Sequence, residues 1–374
     1  MRVALLGPAN SIHLQRWAHA LVDRGHAVAV LTQHVCDRKL LPTDANVFVL
    51  PRSGTLGYFT NAWRARELLT RWRPDVVNAH YASGYGTTAA LCGVRPVLLS
   101  VWGSDVYDFP YESALKGRLI RGNLRRATAI ASTSHAMARQ VRRLTPERRE
   151  IAVTPFGVDL AQFAPAPHAD RPLTNRTLTN NPLTLGTVKS LAPKYGIDLL
   201  LRAFAGLVAD AEVHAAAPDC RLLIVGDGPQ RAELEALAHE LGIAPRTEFA
   251  GAVAHAEVPA WLNRLDVYAA PSRLDSESFG VAVIEAGACA LPVVVSDAGG
   301  LPEVVRNGET GLIVARDDVP ALQAALKRLV LDPALRDRLG RAGRVHVERE
   351  YEWGHCVDRM ERCLQGLVQG GAAQ

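Results

Sequence analysis

The chain has 374 residues and a formal net charge of +4 at pH 7, with 48% hydrophobic and 21% charged residues. This length is more than one ordinary domain needs and suits two domains. The composition excludes a disordered chain, because it supplies enough apolar side chains for two cores. The sequence has no run of about 18 uncharged apolar residues, and its start lacks the longer apolar region and cleavage site of a leader, so we expect neither a spanning helix nor a signal peptide.

In the first half of the chain, short apolar runs of strand type alternate with amphipathic stretches of helix type. The stretches His13–Arg24 and Asn61–Trp72 show the helical spacing of apolar residues. Regular alternation of this kind predicts a parallel sheet with helices on both faces. The predicted strands are Val3–Leu6, Ala27–Thr32, Val47–Leu50, Val76–Ala79, Val97–Val101, Ala129–Thr133 and Ile151–Thr154.

The alternation stops at residues 164–182, a stretch rich in Pro, Asn and Thr that we interpret as a linker. It resumes in the second half, after which a last helix, roughly Trp353–Val368, follows without a further strand. The predicted strands of the second half are Leu183–Val188, Arg221–Val225, Glu248–Ala250, Val267–Ala270, Pro292–Ser296 and Gly311–Val314.

These elements predict an α/β protein with two doubly wound, Rossmann-like domains. We expect an N-terminal domain at residues 1–166, a C-terminal domain at 167–345, and a C-terminal helix at 346–374 that packs back towards the N-terminal domain. Ligands of doubly wound sheets bind beyond the carboxyl ends of the strands. For two such domains, this places the expected site in a central cleft that both sheets face.

Charge is unevenly distributed along the chain. Residues 1–166 hold 21 Lys and Arg against 11 Asp and Glu, whereas residues 167–374 hold 21 against 27. Each cation of the basic half is by itself best explained by a solvated helix face, but ten within 34 residues favour an anionic partner, either a lipid surface or a phosphorylated acceptor. Aromatic residues are not interleaved with them, which argues against nucleic acid. The ten are Lys116, Arg118, Arg121, Arg125, Arg126, Arg139, Arg142, Arg143, Arg148 and Arg149.

The segment Asp266–Glu285 carries the most specific chemistry. A strand ends at Pro271-Ser272, a polar loop follows, and a helix pattern opens at Val281 after Ser278-Phe279-Gly280. Unpaired N–H groups and the positive end of the helix dipole make such a turn a phosphate site. Glu277 and Glu285 flank it, and since carboxylates repel phosphate but bind sugar hydroxyls, the pattern indicates a diphosphate with a sugar on each side.

Glu277 and Glu285 form an E-x7-E spacing that resembles the signature of the retaining family-4 glycosyltransferases of the GT-B fold, also described as glycosyl transferases group 1. Further segments of this chain resemble the family in the same order: Cys220–Pro229, Phe249–Gly251, Asp266–Ser272, Leu291–Val294, Gly299-Gly300 and Gly308–Val314. The resemblance implies that the C-terminal domain binds a nucleotide-sugar and that the N-terminal domain binds the acceptor.

The resemblance also implies individual roles in the donor site. Glu277 would hold the donor sugar and act in catalysis, Glu285 would hold the ribose, and the base would lie near residues 251–253 and 271–272. The expected donor-binding residues are Gly7, Ser11, His13, Gly226, Gly228, Gly251, Val253, Pro271, Ser278, Phe279, Gly280, Val281 and Glu285.

Cations are needed to stabilise a departing diphosphate. The family places an Arg and a Lys five residues apart after the first strand of this domain, and this chain has Ser190 and Tyr195 at those positions. Lys189 and Lys194 keep the spacing one residue earlier, and we expect both to serve the diphosphate. The alternative is that one of them is a surface lysine and that the charge comes from elsewhere.

The N-terminal domain offers less specific candidates at the ends of its strands. His80 is a candidate catalytic residue, although a lone His is as often structural. The family often has a His at the position of Trp102, so a catalytic His at that point is in doubt. The candidate residues on the acceptor side are Asn10, Trp102, Ser104 and Asp105.

Together these features predict a hexosyltransferase that moves a sugar, with retention, from a nucleotide diphosphate-sugar (such as a UDP-sugar, with the base left open) to a glycan or lipid-linked acceptor. The resemblance points to cell-surface polysaccharide or glycolipid synthesis. Without an Asp-x-Asp motif we expect no obligatory metal and no other cofactor. The scattered cysteines fit a cytoplasmic protein, peripheral at the inner face of the membrane.

Two alternatives stay open, another GT-B nucleotide-sugar enzyme of the epimerase type and a catalytically silent sugar-binding relative. A dinucleotide-binding oxidoreductase is disfavoured, since the third glycine of a G-x-G-x-x-G motif that begins at Gly226 would fall at Arg231.

Overall fold

The computed structural model describes residues 1–146, 150–166 and 182–372. Its chain divides into two compact units, the first formed by Met1–Phe156 with Gly354–Gln374 and the second by Gly157–Trp353. The boundaries thus fall after residues 156 and 353, whereas the sequence placed them after 166 and 345. Most of the predicted linker, together with Arg148 and Arg149 of the basic cluster, lies outside the described residues.

The first unit contains a seven-stranded parallel sheet with the strand order β3-β2-β1-β4-β5-β6-β7. Its strands are β1 (Arg2–Leu6), β2 (Ala27–Thr32), β3 (Asn46–Val49), β4 (Val76–His80), β5 (Val97–Ser100), β6 (Ala129–Ser132) and β7 (Ile151–Val153). Its helices are α1 (Ile12–Asp23), α2 (Gly54–Thr60), α3 (Ala62–Trp72), α4 (Gly86–Cys92), α5 (Ser104–Tyr107), α6 (Ala114–Arg126) and α7 (His135–Leu144), with a π-helical turn at Tyr81–Tyr85.

The second unit contains a six-stranded parallel sheet with the order β10-β9-β8-β11-β12-β13. Its strands are β8 (Thr184–Val188), β9 (Arg221–Val225), β10 (Thr247–Gly251), β11 (Val267–Ala270), β12 (Val293–Ser296) and β13 (Gly311–Val314). Its helices are α8 (Ile197–Val208), α9 (Ala211–Ala216), α10 (Arg231–Glu240), α11 (Val258–Leu262), α12 (Val281–Ala288), α13 (Leu301–Val304), α14 (Val319–Leu331) and α15 (Pro333–Tyr351).

The strand orders confirm the predicted fold class of two doubly wound, Rossmann-like domains. Central strands such as β5 and β12 are buried along their whole length, which is why they read as nearly continuous apolar runs. In each sheet the strand order reverses once, between β1 and β4 in the first unit and between β8 and β11 in the second. Ligands of such sheets bind at these switch points. The central cleft between the domains stays a prediction.

The last helix, α16 (Trp353–Ala372), belongs to the first unit from Gly354 onwards. Its apolar face is buried through Cys356, Val357, Met360 and Leu364. On its polar side, Glu361 accepts hydrogen bonds from Arg24 at 2.7 Å and from His26 at 2.9 Å. Neither α16 nor any other helix in the described part of the chain is long and apolar enough to cross a bilayer.

The core of the second unit lies where α8 packs against α14 and the sheet. Phe204 of α8 is fully buried in this core. A buried Phe contributes by its transfer from water and by the close packing that it fills.

Replacing Phe204 with Ala should therefore lower the free energy of unfolding by about 3–5 kcal/mol, because the cavity adds to the lost burial. Urea denaturation followed by tryptophan fluorescence would measure the change. Val345→Ala is the matched control, since Val345 lies in the same unit and is 60% exposed. A similar loss in both variants would contradict this assignment of the core.

Candidate functional site

The switch point of the second sheet lies between β8 and β11, and the segments that follow these strands carry the predicted donor residues. Lys189 directly follows β8, and the loop after β11 leads through Glu277 to α12. Both loops begin at the carboxyl edge of the sheet, where ligands of this fold bind.

Lys189 and Glu277 form a buried ion pair. The Lys189 Nζ lies 3.0 Å from the Glu277 Oε1, and the two side chains are only 17% and 7% exposed. Burial alone would lower the pKa of the Lys189 ammonium, but the nearby Glu277 carboxylate outweighs it and holds that pKa above its usual value. The lysine is therefore charged at neutral pH and fixes the carboxylate in one position.

Lys194 lies beside the same site. The Lys189 Nζ lies 4.5 Å from the centroid of the Tyr195 ring, and the Lys194 Nζ lies 4.8 Å from the same centroid. Cations at these distances from an aromatic ring are attracted to it. The structure therefore brings the two lysines together on one ring, although neither occupies the usual cation position of the family.

The predicted donor residues Gly226 and Gly228 pack against the loop of Lys189. A Cβ atom would lie 1.9 Å from the Lys189 carbonyl oxygen at Gly226 and 2.4 Å from the Leu191 carbonyl oxygen at Gly228. The Leu191 N–H also donates to the Asp227 carbonyl oxygen at 2.9 Å. The glycines are thus required for the close approach that positions Lys189, and a direct donor contact stays a prediction.

The loop that carries Glu277 is fixed by a second pair of glycines. Gly300 donates its N–H to the Glu277 carbonyl oxygen at 3.0 Å, and Gly299 donates to the Asp275 carboxylate at 3.1 Å. A Cβ atom at Gly299, whose φ is +53°, would lie 2.2 Å from the Glu277 carbonyl oxygen. The Glu277 backbone is therefore held by these glycines while its carboxylate pairs with Lys189.

Two arginines that the sequence did not single out hold the same loop. Arg273 makes a bidentate pair with Asp198 at 2.6 and 2.7 Å. Arg316 lies 2.9 Å from the Asp275 carboxylate and 3.0 Å from that of Asp297. Each arginine is far in sequence from the carboxylates that it binds, so these ion pairs form only when the fold brings their segments together.

The helix α12 begins at Val281 as predicted, with Gly280 as its N-cap at a φ of +99°. Ser278 and Phe279 are buried, and the Phe279 ring meets Tyr351 edge-on at 5.6 Å. The first N–H groups of a helix have no partner inside it, and they carry the positive end of its dipole. The geometry fits a phosphate site at this end of α12.

Glu285 is buried in the second turn of α12. His255, which the sequence did not single out, has its Nε2 at 3.1 Å from the Glu285 Oε1. The predicted base-binding segment begins nearby at Gly251, where a Cβ atom would lie 3.2 Å from the Arg231 guanidinium. Pro271 and Ser272 are also buried, and Val253 is half-buried.

In the first unit, His80 is fully buried at the end of β4 and both of its ring nitrogens lack a hydrogen-bond partner among the described residues. Burial, with a smaller contribution from His13, lowers its pKa to about 3. The imidazole is therefore neutral and enclosed. The catalytic role of His80 stays a prediction, and the structure adds that its imidazole is enclosed at the end of β4.

The residues around His80 form an aromatic cluster. The His13 ring stacks on Phe156 at 4.1 Å, and the Trp102 ring lies 5.7 Å from His13 and 5.4 Å from His80. Gly7 lies beside His80, since a Cβ there would lie 3.4 Å from the His80 Cβ. Asn10 is exposed, and Ser11, the N-cap of α1, is half-buried.

Asp105, predicted on the acceptor side, is held by backbone N–H groups of its own unit. It is fully buried, and its carboxylate accepts N–H groups from Ala82 at 2.7 Å, Gly103 at 2.8 Å and Trp102 at 3.1 Å. Burial raises the pKa of this carboxyl, while the N–H groups oppose the rise. Asp105 thus ties two loops together, and its predicted place on the acceptor side stays a prediction.

The described residues contain no group of three or more His, Cys, Asp or Glu side chains that could hold a metal ion.

Comparison with known proteins shows similarity along most of the chain. The family model of the glycosyl transferases group 1 matches residues 174–346, and that of the glycosyl transferase 4-like proteins matches residues 2–134. A GDP-mannose-dependent alpha-(1-6)-phosphatidylinositol monomannoside mannosyltransferase from Mycolicibacterium smegmatis is 35% identical over 57% of this chain and 55% of its own length. The chain thus aligns with about half the length of this relative.

Two further comparisons cover nearly the whole chain. A 2-deoxystreptamine N-acetyl-D-glucosaminyltransferase from Streptomyces fradiae is 29% identical over 97% of this chain and 92% of its own. The solved structure of a sucrose-phosphate synthase from Thermosynechococcus elongatus superposes with a TM-score of 0.81 at 20% identity and covers 100% of both chains. The latter shows that the two units have the GT-B fold.

The burial of His80 predicts how stability depends on pH. Its pKa falls from 6.5 to about 3 on folding, so the unfolded chain takes up this proton first as the pH drops. The contribution of neutral His80 to the free energy of unfolding is therefore complete well above pH 6.5 and is lost as the pH falls from 6.5 to 3. We expect the free energy of unfolding to fall by about 1.4 kcal/mol between pH 7.5 and 5.5. Urea denaturation at the two pH values would measure this loss.

His80→Gln should remove that part of the pH dependence whatever its effect at neutral pH. His19→Gln should keep it, because His19 is exposed on α1 of the same unit. An unchanged slope in His80→Gln would show that another group is responsible.

Proposed function

The chain belongs to the group 1 glycosyltransferases, the family-4 enzymes of the GT-B fold, and we propose that it transfers a hexose-type sugar from a nucleotide diphosphate-sugar to a glycan or lipid-linked acceptor. The observation that carries this proposal is the buried Lys189–Glu277 pair, which lies in the loops at the switch point of the second sheet. A charged pair in this place matches a ligand that has both a diphosphate and hydroxyl groups.

In the proposed complex, the second unit binds the donor. The diphosphate lies at the N-terminus of α12, where backbone N–H groups and the dipole favour negative charge. Lys189 and Lys194 supply the cations, Glu277 accepts hydrogen bonds from the transferred sugar, and Glu285 accepts them from the ribose. His255 then shares Glu285 with the ribose, because both approach the same carboxylate.

The lysines serve mainly the transition state. Negative charge grows on the diphosphate as the bond to the sugar breaks, and preorganised cations stabilise that charge most when they are held in a site of low polarity. We propose that the acceptor attacks from the face that the diphosphate leaves, so the configuration at the anomeric carbon is retained. A departing phosphate oxygen takes the proton of the acceptor hydroxyl, which requires neither a carboxylate nucleophile nor a metal ion.

The first unit supplies the acceptor side. Arg118, Arg125 and Arg126 on α6 and Arg142 and Arg143 on α7 are exposed. The relative from Mycolicibacterium smegmatis is a phosphatidylinositol monomannoside mannosyltransferase. Together with that relative, this basic surface supports an acceptor or a membrane that carries negative charge. We therefore propose that the protein works at the inner face of the membrane, in the synthesis of a surface polysaccharide or glycolipid.

Replacing Glu277 with Gln should lower kcat by about 10²–10³-fold while the donor binds with similar affinity, because the amide keeps the shape of the site but loses the charge that orients the sugar. Release of free nucleotide from UDP-, GDP- and ADP-sugars, measured with EDTA and a crude lipid acceptor, gives kcat. Thermal shift with each donor gives binding. Glu240→Gln, an exposed carboxylate on α10, is the control.

Near-normal turnover in Glu277→Gln would contradict the role of this carboxylate. Donor binding without nucleotide release by the unaltered protein would favour a catalytically silent sugar-binding relative. Conversion of the donor to an epimer would favour an enzyme of the epimerase type.

The two lysines should differ from an ordinary surface lysine. Lys189→Gln and Lys194→Gln should each lower kcat by about 10²-fold or more, because each loses a cation beside the leaving group. Lys189→Arg should restore part of the rate, since the charge returns. Lys327→Gln is the control in the same unit, since that lysine pairs with Asp210 and Glu212. A normal rate in Lys194→Gln would show that this lysine is a surface residue.

A further inference from the structure

The ring of Tyr195 contacts two cations at once. Tyr195 ends a short 3₁₀ turn, Pro193–Tyr195, and its half-buried ring packs partly against the core of the second unit. The ammonium groups of Lys189 and Lys194 lie over this ring, at 4.5 and 4.8 Å from its centroid. One aromatic side chain thus determines where both predicted cations of the donor site lie.

The turn that carries Tyr195 is fixed by the loop after β11. The Arg273 N–H donates to the Lys194 carbonyl oxygen at 2.8 Å. Gly196 has a φ of +65°, and a Cβ atom there would lie 2.1 Å from the Pro271 carbonyl oxygen. The backbone on either side of Tyr195 is therefore tied to the loop that leads from β11 to α12.

The two lysines differ in what balances their charge. Lys189 pairs with the Glu277 carboxylate at 3.0 Å. Within the described part of the chain, no carboxylate forms an ion pair with Lys194, and its ammonium lies over the Tyr195 ring instead. The cluster of these four side chains thus holds two ammonium groups and one carboxylate.

An aromatic ring holds a cation in a different way from a carboxylate. Its face attracts the cation through a quadrupole, but the ring carries no net charge. A second carboxylate in the place of Tyr195 would neutralise the cluster and repel a phosphate. The ring fixes the ammonium groups and leaves the cluster with an excess of positive charge, which favours the ligand that carries more negative charge.

We propose that Tyr195 is a positioning residue whose ring holds Lys189 and Lys194 in place without cancelling their charge, so that the site selects nucleotides with a diphosphate over those with a monophosphate. The proposal rests on the proposed transferase function and deepens it, because it assigns the selection of the leaving group to a residue outside the cations themselves. The ring acts through the two lysines and need not touch the donor.

Two variants separate the aromatic face from the rest of the side chain. Tyr195→Leu removes the face and keeps an apolar side chain against the core, whereas Tyr195→Phe removes only the hydroxyl. Calorimetric titration with UDP, GDP and ADP and with their monophosphates measures the affinities. We expect Tyr195→Leu to bind the preferred diphosphate about 10-fold more weakly or worse, because two cation–π contacts are lost, and its monophosphate less than about threefold more weakly.

Turnover should follow the same order, because the cations also stabilise the departing diphosphate. With the donor that binds best, kcat should fall by about 10–100-fold in Tyr195→Leu and by less than about threefold in Tyr195→Phe. Tyr195→Met is a second variant without an aromatic face, in case the leucine variant does not fold.

Trp261→Leu is the matched control. It removes a cation–π contact from α11 of the same unit, where the Arg264 guanidinium lies 4.4 Å from the centroid of the Trp261 ring. This variant should keep the diphosphate preference and kcat of the unaltered protein. In a Lys194→Gln background, Tyr195→Leu should cost clearly less than it does alone, since one of the two cations that the ring holds is gone.

Unchanged diphosphate affinity and kcat in Tyr195→Leu or Tyr195→Met would overturn the role of the ring. So would an equal loss in Tyr195→Phe, or full additivity of Tyr195→Leu and Lys194→Gln, which a purely structural role would give. These results require a protein that binds a nucleoside diphosphate, and so they leave the proposed function intact. Failure of the unaltered protein to bind any of the three diphosphates would instead contradict the proposed function and, with it, this role.

Discussion

The buried pair of Lys189 and Glu277 is the interaction on which the second unit's site depends. Two charges are costly to remove from water, and loss of either partner leaves the other buried without compensation. The surrounding structure accordingly fixes both ends: Gly226 and Gly228 admit the backbone of the lysine loop, and Gly299 and Gly300 hold that of the carboxylate loop. The pair is thus preorganised before any ligand arrives, which lowers the cost of binding and of charge rearrangement.

The sequence predicted the fold well because its information is local. Each strand is a short apolar run, and every predicted strand is present with bounds that differ by only a residue or so at either end. The helix start in the predicted donor segment was found for the same reason, since Ser278, Phe279 and Gly280 stand directly before it. The one-residue shift of Lys189 and Lys194 from the family's cation positions was evident in the sequence. Only the structure shows that both ammonium groups still lie over the ring of Tyr195.

Other parts of the site could not be predicted, because they depend on contacts between distant segments or on backbone angles. Arg273 meets Asp198, and His255 meets Glu285, only once the sheet order is known. The positive φ of Tyr81 leaves no trace in residue type, since glycine would be the usual residue there. His80 and Asp105 were assigned to the site from their positions at strand ends, and only the structure shows that both side chains are fully buried.

The return of α16 to the first unit also determines the order in which the chain can finish folding. A ribosome makes β1–β7 first, then the whole second unit, and only then Cys356, Val357, Met360 and Leu364. Until that moment, the surface that these side chains cover, including Asn78, stays open to water and to other chains. The unit that is synthesised first is therefore completed last, and until then it exposes apolar surface of the kind that makes incompletely folded chains prone to aggregate.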